Sequence, residues 1–583
     1  MLKKEININD IRYVFEYEEE AKIKDIGMEL ISEVGGIILY KVNLKWAEAV
    51  IPAPIQITYQ IDCVDCYSLW DCLSRERHIN PYWVKNRTNS RLADGMPIKQ
   101  VVSKQGLNRH LVSISDAKNP LSISMGGNQD LNTVETEIKF FTSTVSPMIE
   151  YEVYIRIDSR EIPYYDAIRN ARDWYDSFGY KPPYVPDDAK QPVYSTWYSY
   201  RQNIFAKQLL KECKYAVKDG MKVIIVDDGW QTDNETHDYE FVGDWKPSRK
   251  KFYDMKNFVD KVHSIGMKVM LWYCVPLVGF HSKVYKRFEG KYLYDMTHLK
   301  CSVIDPRYKD VRDWLISIYT TAVREWGLDG LKLDFIDTFR SNGKVEEGMD
   351  FVSVEDATEC LLKDINVALK EINPDILIEF RQAYMGPVIT TFGNMIRVTD
   401  CPNDQFSNKK SGMDLRLTSS SCAVHSDMIR WNLLDTPESV AVQLFSSLFL
   451  VPQISVVYEE LPDVHRNVLK HFMSFWTEHK ETLISGTLTA SNPELLYTSI
   501  TAESEDEKIS ALYTDSVVEA TAKRNYFVNL SQAVNLVVKS KRDKYFVEVF
   551  DCMGGRVSRK SRIKSDLVEI YVPMGGMIVV EEA

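Results

Sequence analysis

Between residues 192 and 478 short apolar runs alternate with segments of helical period, and this alternation constrains the fold more than any other feature of the chain. Strand-like runs fall at 193–197, 222–226, 268–273, 330–334, 375–380, 395–400, 421–425 and 453–457. Helix-like segments lie between most of them, as at 203–217, 252–265, 355–372, 437–450 and 464–478. Glycines at 220, 266 and 327 stand where three of these helices stop. Eight such strands predict a parallel (β/α)8 TIM barrel, because an open doubly wound sheet stops at about five or six.

Charge collects where each strand ends. In Gly330-Leu331-Lys332-Leu333-Asp334 the lysine and the aspartate alternate with leucines, so both point to one side near the strand's C-terminal end. That end of a barrel is where active sites form. Reading the other strands the same way gives Trp197, Asp227-Asp228 with Trp230, Trp272, Arg381, Arg397 with Asp400, and His425 with Asp427. Taken alone, Asp227-Asp228 reads more readily as a helix cap or as partners for lysines. As a set on consecutive strands these residues read as a site. Carboxylates accept hydrogen bonds from sugar hydroxyls, tryptophans cover the apolar face of a pyranose, and two carboxylates on opposite sides of a glycosidic bond cleave it. The sequence holds no phosphate-loop glycine pattern, no nucleophile-elbow serine and no His-Glu-x-x-His, so neither a metal nor another cofactor is expected.

On either side of the alternating region the texture is that of β-sheet. Residues 1–165 consist of short β-branched or aromatic runs broken by turn chemistry, and predict a large β-sandwich. Within it, the aromatic stretch Tyr82-Trp83-Val84 and the turn Asp94-Gly95-Met96-Pro97 are positioned to face a neighbouring active site, although Trp83 by itself reads as core. Residues 166–190, a helical run and then the proline-rich piece at 181–186, form a linker. The barrel occupies 191–482, and 483–583 return to short strands, at 494–499, 508–513, 524–529, 545–551 and 577–580, with glycine pairs at 554–555 and 575–576, as a small second β-sandwich. With 45% hydrophobic residues among 583 the chain has material for several cores. A net charge of -12 argues against a nucleic-acid partner, whose phosphates demand basic surface. The first twenty residues lack a hydrophobic run, so neither a signal peptide nor a membrane span is read and the cytoplasm is the expected compartment. Ten scattered cysteines read as reduced thiols; Cys63, Cys66 and Cys72 with His78 have spacings too loose for a zinc site. Self-association into a homo-oligomer is left open.

Together these stretches resemble glycoside hydrolase family 36, the α-galactosidase group, in the clan that also holds families 27 and 31. The resemblance rests on Trp197-Tyr198-Ser199, Val226-Asp227-Asp228-Gly229-Trp230-Gln231, Gly243-Asp244-Trp245, the strand through Leu271-Trp272, and Lys332-Leu333-Asp334. It implies a retaining α-glycosidase, most simply an α-galactosidase on small oligosaccharides. Asp334 would be the nucleophile, Lys332 a substrate contact, Asp227 and Asp228 ligands of the outer hydroxyls, and Trp197 and Trp272 walls of the pocket. The acid/base is implied to be the aspartate after Arg397, with Asp400 preferred and Asp404 as the fallback. Two places depart from the family. Glu379-Phe380-Arg381-Gln382-Ala383 replaces a Cys-Ser-Gly-Gly stretch that contacts the sugar near its 2-position, and Arg397 and Asp400 are three apart where several relatives have four. An α-glycosidase for another sugar, an α-galactosyl transferase and a catalytically inactive sugar-binding barrel therefore remain alternatives.

Overall fold

Among the described residues eight strands close into a parallel barrel, in chain order around the ring: Val193–Ser195, Val223–Val226, Lys268–Cys274, Gly330–Asp334, Leu377–Arg381, Met395–Arg397, Ala423–Ile429 and Val451–Ile454. The structure is a computed structural model that describes residues 1–181, 183–540 and 544–582, so Pro182 of the expected linker lies outside it. The strands are almost wholly buried because helices wrap them on the outside while their own side chains fill the inside. One wrapping helix, Met255–Ile265, buries Met255, Phe258, Val259 and Val262 on a single face. It starts at Asp254, whose carboxylate accepts the Asn257 amide, and stops at Gly266 in the left-handed region (φ 96°). Gly330 opens the fourth strand for a steric reason: a Cβ there would come within 2.6 Å of the Leu377 carbonyl on the fifth. No other residue lets those strands approach so closely.

The seventh strand departs from expectation. It spans Ala423–Ile429 instead of 421–425, so it carries Ser426 and Asp427 as well. His425 is consequently mid-strand and not at its end. Its Nε2 meets the Ala189 carbonyl at 2.8 Å, on the side where the barrel begins, and burial pushes its pKa down to about 4. It is a neutral packing residue.

Before the barrel come two six-stranded sheets packed face to face, built from strands between Leu2–Ile8 and Met148–Asp158. Thr133–Phe140 alternates buried and half-buried positions along its length, as a strand with one face on the core does. Trp83 corrects the sequence reading. It is 64% exposed, at the centre of the short 3-10 turn Tyr82–Val84 that lies against the strand Leu121–Asn128, and it belongs to no core. The turn at 94–97, by contrast, does face the barrel mouth. Gly95 N donates to the Ala383 carbonyl (2.9 Å), and Arg91 reaches the carbonyls of Asp337 (2.6 Å) and Phe339 (2.8 Å) just past the fourth strand.

After the barrel the described residues form a seven-stranded and a three-stranded sheet, ten strands where about half were legible. The expected strand at 494–499 is a 3-10 turn, Pro493–Leu495, with Asn492, Leu496 and Tyr497 left-handed, and the strand starts at Ser499. Arg556–Ile563 escaped notice because it is largely exposed and polar, leaving no apolar alternation to read.

Candidate active site

Asp334 ends the fourth strand with its carboxylate held on both oxygens. Oδ2 accepts Trp272 Nε1 at 3.0 Å, while Oδ1 accepts Arg381 Nε at 2.5 Å and the Phe335 amide at 2.8 Å. The chain turns there through Phe335 in the left-handed region (φ 66°), which aims that amide back at the carboxylate. Burial alone would raise the pKa of Asp334; the Arg381, Lys332 and Arg397 cations outweigh it and hold the group well below the usual carboxylate range. Asp334 is only 7% exposed.

Trp272, expected as a wall, is 2% exposed, and Tyr239 stacks on it with centroids 6.1 Å apart. What it offers the site is an indole N–H and not an open ring face. Trp197 is half-buried, with the Arg201 guanidinium 4.9 Å from its ring centre and His237 at its edge.

Lys332 shares Asp334's side of the strand but bonds elsewhere: its Nζ donates to Asp227 Oδ2 at 2.6 Å. Burial disfavours the ammonium, yet Asp227 more than compensates and raises its pKa. Lys332 thus acts on Asp334 through its field, second to Arg381, and not by direct contact. Asp228 turns the other way, between the amides of Gln202 (2.8 Å to Oδ2) and Gln231 (2.6 Å to Oδ1), and burial pushes it up to about 6. The turn after it needs Gly229, at φ 116° with the Gln202 backbone 2.6 Å from where a Cβ would sit.

Arg397 is fully buried and gathers acids. Its Nη1 lies 2.9 Å from Asp400 Oδ1 and 2.5 Å from Asp427 Oδ1, and its Nε is 3.8 Å from Glu379 Oε1. Asp400 projects into the mouth with a side chain 57% exposed. Desolvation and the charge of Asp334 push its pKa up, Arg397 pulls harder, and the net is a lowered value. Asp404 serves as the N-cap of the helix Gln405–Thr418, accepting the Ser407 amide (3.0 Å) and hydroxyl (2.6 Å).

Arg381, on the departing stretch, spans two acids: besides Asp334 it reaches Asp337 Oδ1 at 3.2 Å, with the rings of Phe335 and Tyr384 about it at 5.5 and 5.4 Å. Sequence reading passed over Glu379 as part of the site. It is buried among Lys332, Arg397 and the Gln453 amide, and burial pushes it up to about 7. A signal existed: Glu379 and Arg381 alternate with Ile378 and Phe380, the same inward pattern as Lys332 and Asp334. Asp427, read from the sequence together with His425, is likewise pushed to about 6 by burial and accepts from Tyr198 Oη (3.0 Å) and the Cys401 amide (2.6 Å).

Residues 185–379 match the melibiase family model. That segment, a third of the chain, is similar to the melibiase family. It holds Trp197, the Asp227-Asp228 pair, Trp272, Lys332 and Asp334, and it ends at the residue where the departing stretch begins. A curated relative, alpha-galactosidase Mel36A of Lactobacillus acidophilus, is 31% identical over 127 residues, which are 21% of this chain and only 16% of that protein. Among solved structures, a GH36 α-galactosidase AgaA variant from Geobacillus stearothermophilus in complex with stachyose aligns over 99% of this chain and 84% of its own, at 12% identity and a TM-score of 0.65. The α-galactosidase TtGalA from Thermus thermophilus aligns over 86% and 98%, at 14% identity and a TM-score of 0.55. The likeness to family 36 read from the sequence is borne out, and at such identities the structures share the multidomain barrel fold.

Proposed function

We propose that the protein is a retaining α-glycosidase that removes terminal α-linked galactose from small oligosaccharides by double displacement. The observation that carries this reading is the condition of Asp334, an ionised carboxylate fixed by Trp272, the Phe335 amide and Arg381 at the mouth of the barrel. Such a group acts as a nucleophile once an anomeric carbon is brought to it. In the first step an Asp334 oxygen bonds that carbon while the glycosidic oxygen leaves with a proton from Asp400, giving a β-linked glycosyl ester. In the second, Asp400 takes a proton from water, whose oxygen displaces Asp334 and restores the α configuration.

Asp400 suits both duties for electrostatic reasons. A sugar seated over it strips water from an exposed carboxyl and raises its pKa, so that it holds a proton for the leaving oxygen. The charge of Asp334 also pushes it up; esterification removes that charge and releases Asp400 to act as base. Asp404 is engaged as a helix cap, which supports Asp400 over it. The buried Lys332–Asp227 pair supports a role in holding the 4- and 6-hydroxyls of galactose, and Asp228 would join it by exchanging the Gln202 or Gln231 amide for a hydroxyl. The stachyose in the Geobacillus complex makes raffinose-type α-galactosides the natural first substrates to try. Ten free thiols, six of them buried, suit a reducing compartment, and the cytoplasm is the proposed location.

A panel of nitrophenyl α-glycosides tests the reading. The α-galactoside is expected to be hydrolysed fastest, with Asp334→Ala folded and slower by several orders of magnitude. A preference for the glucoside overturns the choice of sugar and points to Arg381 and Gln382. Sugar binding without turnover leaves a binding barrel instead.

A further inference from the structure

A cavity of about 500 Å³ lies on the far side of the barrel from the site above, where the seventh and eighth strands begin at Ala423 and Val451. Four cations line it: Arg169 and Arg172 from the helix Tyr164–Trp174, Lys190 ahead of the first barrel strand, and Arg416 from the last turn of the helix Gln405–Thr418. Ser420 and Ser421 add hydroxyls, and no carboxylate is among the lining residues in the described chain. The lining is thus wholly positive in a protein whose net charge is -12.

The cations are not consumed by one another's neighbours. Arg169 pairs with Asp166 at 3.0 Å and Arg172 with Asp173 at 2.6 Å, both acids standing outside the cavity. Arg416 donates to the carbonyls of Phe449, Leu483 (3.0 Å) and Ile484 (2.9 Å), neutral acceptors that orient the guanidinium and leave its charge uncompensated. The Lys190 side chain, at the end of the 3-10 turn Asp187–Lys190, has no hydrogen-bond or ion-pair partner among the described residues. Burial and the like charges of Arg169 and Arg172 pull the pKa of Arg416 down to about 10, the cost of crowding cations without an anion. Two uncompensated positive charges match a dianion. The volume also admits a body about the size of a hexose beside it.

We propose that this cavity is a binding site for a phosphate group, free or carried as a monoester on a small polar metabolite, separate from the sugar site. A phosphate dianion presents three acceptor oxygens to guanidinium forks and an ammonium, the pairing for which arginine is best shaped. The site does not depend on the glycosidase reading, and its test needs no turnover.

Full-length protein is titrated calorimetrically with glucose 6-phosphate, inorganic phosphate and glucose, at constant ionic strength set with sodium chloride. One saturable site per chain is expected for a phosphate-bearing probe, with no heat from glucose. Tighter binding of glucose 6-phosphate identifies an esterified ligand, and equal or tighter binding of inorganic phosphate identifies the free ion. Lys190→Gln and Arg172→Gln, each with an unchanged unfolding midpoint in the absence of anion, should each weaken binding about tenfold, the loss of one charge-assisted hydrogen bond. Two results overturn the proposal: no binding by either phosphate up to about 10 mM, or binding that both variants leave unaltered, which would place the anion elsewhere.

Discussion

Replacing Arg381 with alanine tests the centre of the site most directly. In the structure its Nε is 2.5 Å from Asp334 Oδ1 within a pair whose side chains are 17% and 10% exposed, and among the favourable influences on the Asp334 pKa it is the largest. After the substitution Asp334 keeps Trp272 Nε1 and the Phe335 amide but loses its one charged donor in contact. A hydrogen bond to a charged group contributes roughly 1.5–3 kcal/mol, so kcat/KM on the best nitrophenyl substrate should fall about ten- to hundredfold. The pH dependence gives the sharper readout. The wild-type Asp334 pKa is depressed, so its carboxylate stays ionised, and catalytically competent, as pH falls below the ordinary carboxylate range; activity on the acid side is then limited by other groups. Removing Arg381 raises that pKa, and the acid limb of kcat/KM should move to higher pH. Arg381→Lys restores a charge without the fork and should recover part of the shift. Unchanged kcat/KM together with an unmoved acid limb in Arg381→Ala would refute the assignment of Arg381 as the residue that poises Asp334.

Three further outcomes are expected. Asp400→Ala should lose activity heavily on a disaccharide but far less in glycosylation by the nitrophenyl substrate, which departs without a proton, and added azide should restore turnover and give the α-glycosyl azide. Asp404→Ala should instead cost about 1 kcal/mol of stability, as the loss of a helix cap does, and the reverse pattern in the two variants would exchange their roles. Glu379, raised to about 7, is an acid that the fold prefers protonated. The stability this contributes is fully present below its ordinary pKa and lost as pH climbs through about 7. Glu379→Gln should flatten that decline, worth roughly 3 kcal/mol, in urea unfolding between about pH 4.5 and 8; an equally steep decline in the variant would mean that Glu379 is ionised throughout.

Much of this was written in local sequence. The barrel follows from eight apolar runs punctuated by helical period, because a strand buried on both faces is apolar except where its end carries the site, and a glycine such as Gly266 marks a helix end by its own stereochemistry. Lys332 and Asp334 fall on one face because strand side chains alternate, and the same rule, applied to 377–381, would have brought Glu379 and Arg381 in together. The polar strands near the C-terminus were invisible for the opposite reason, since an exposed edge imposes no pattern. Tertiary structure alone decided who pairs with whom. Lys332 bonds Asp227, 105 residues away, and Arg381 takes Asp334 instead; Trp272 turns an edge to Asp334 and keeps its ring face under Tyr239; and Asp400 and Asp427 compete for one Arg397. The four cations of the anion cavity come from segments up to 247 residues apart, between Arg169 and Arg416, and share no motif. Closing the ring of strands sets those distances, and nothing local to any one strand encodes them.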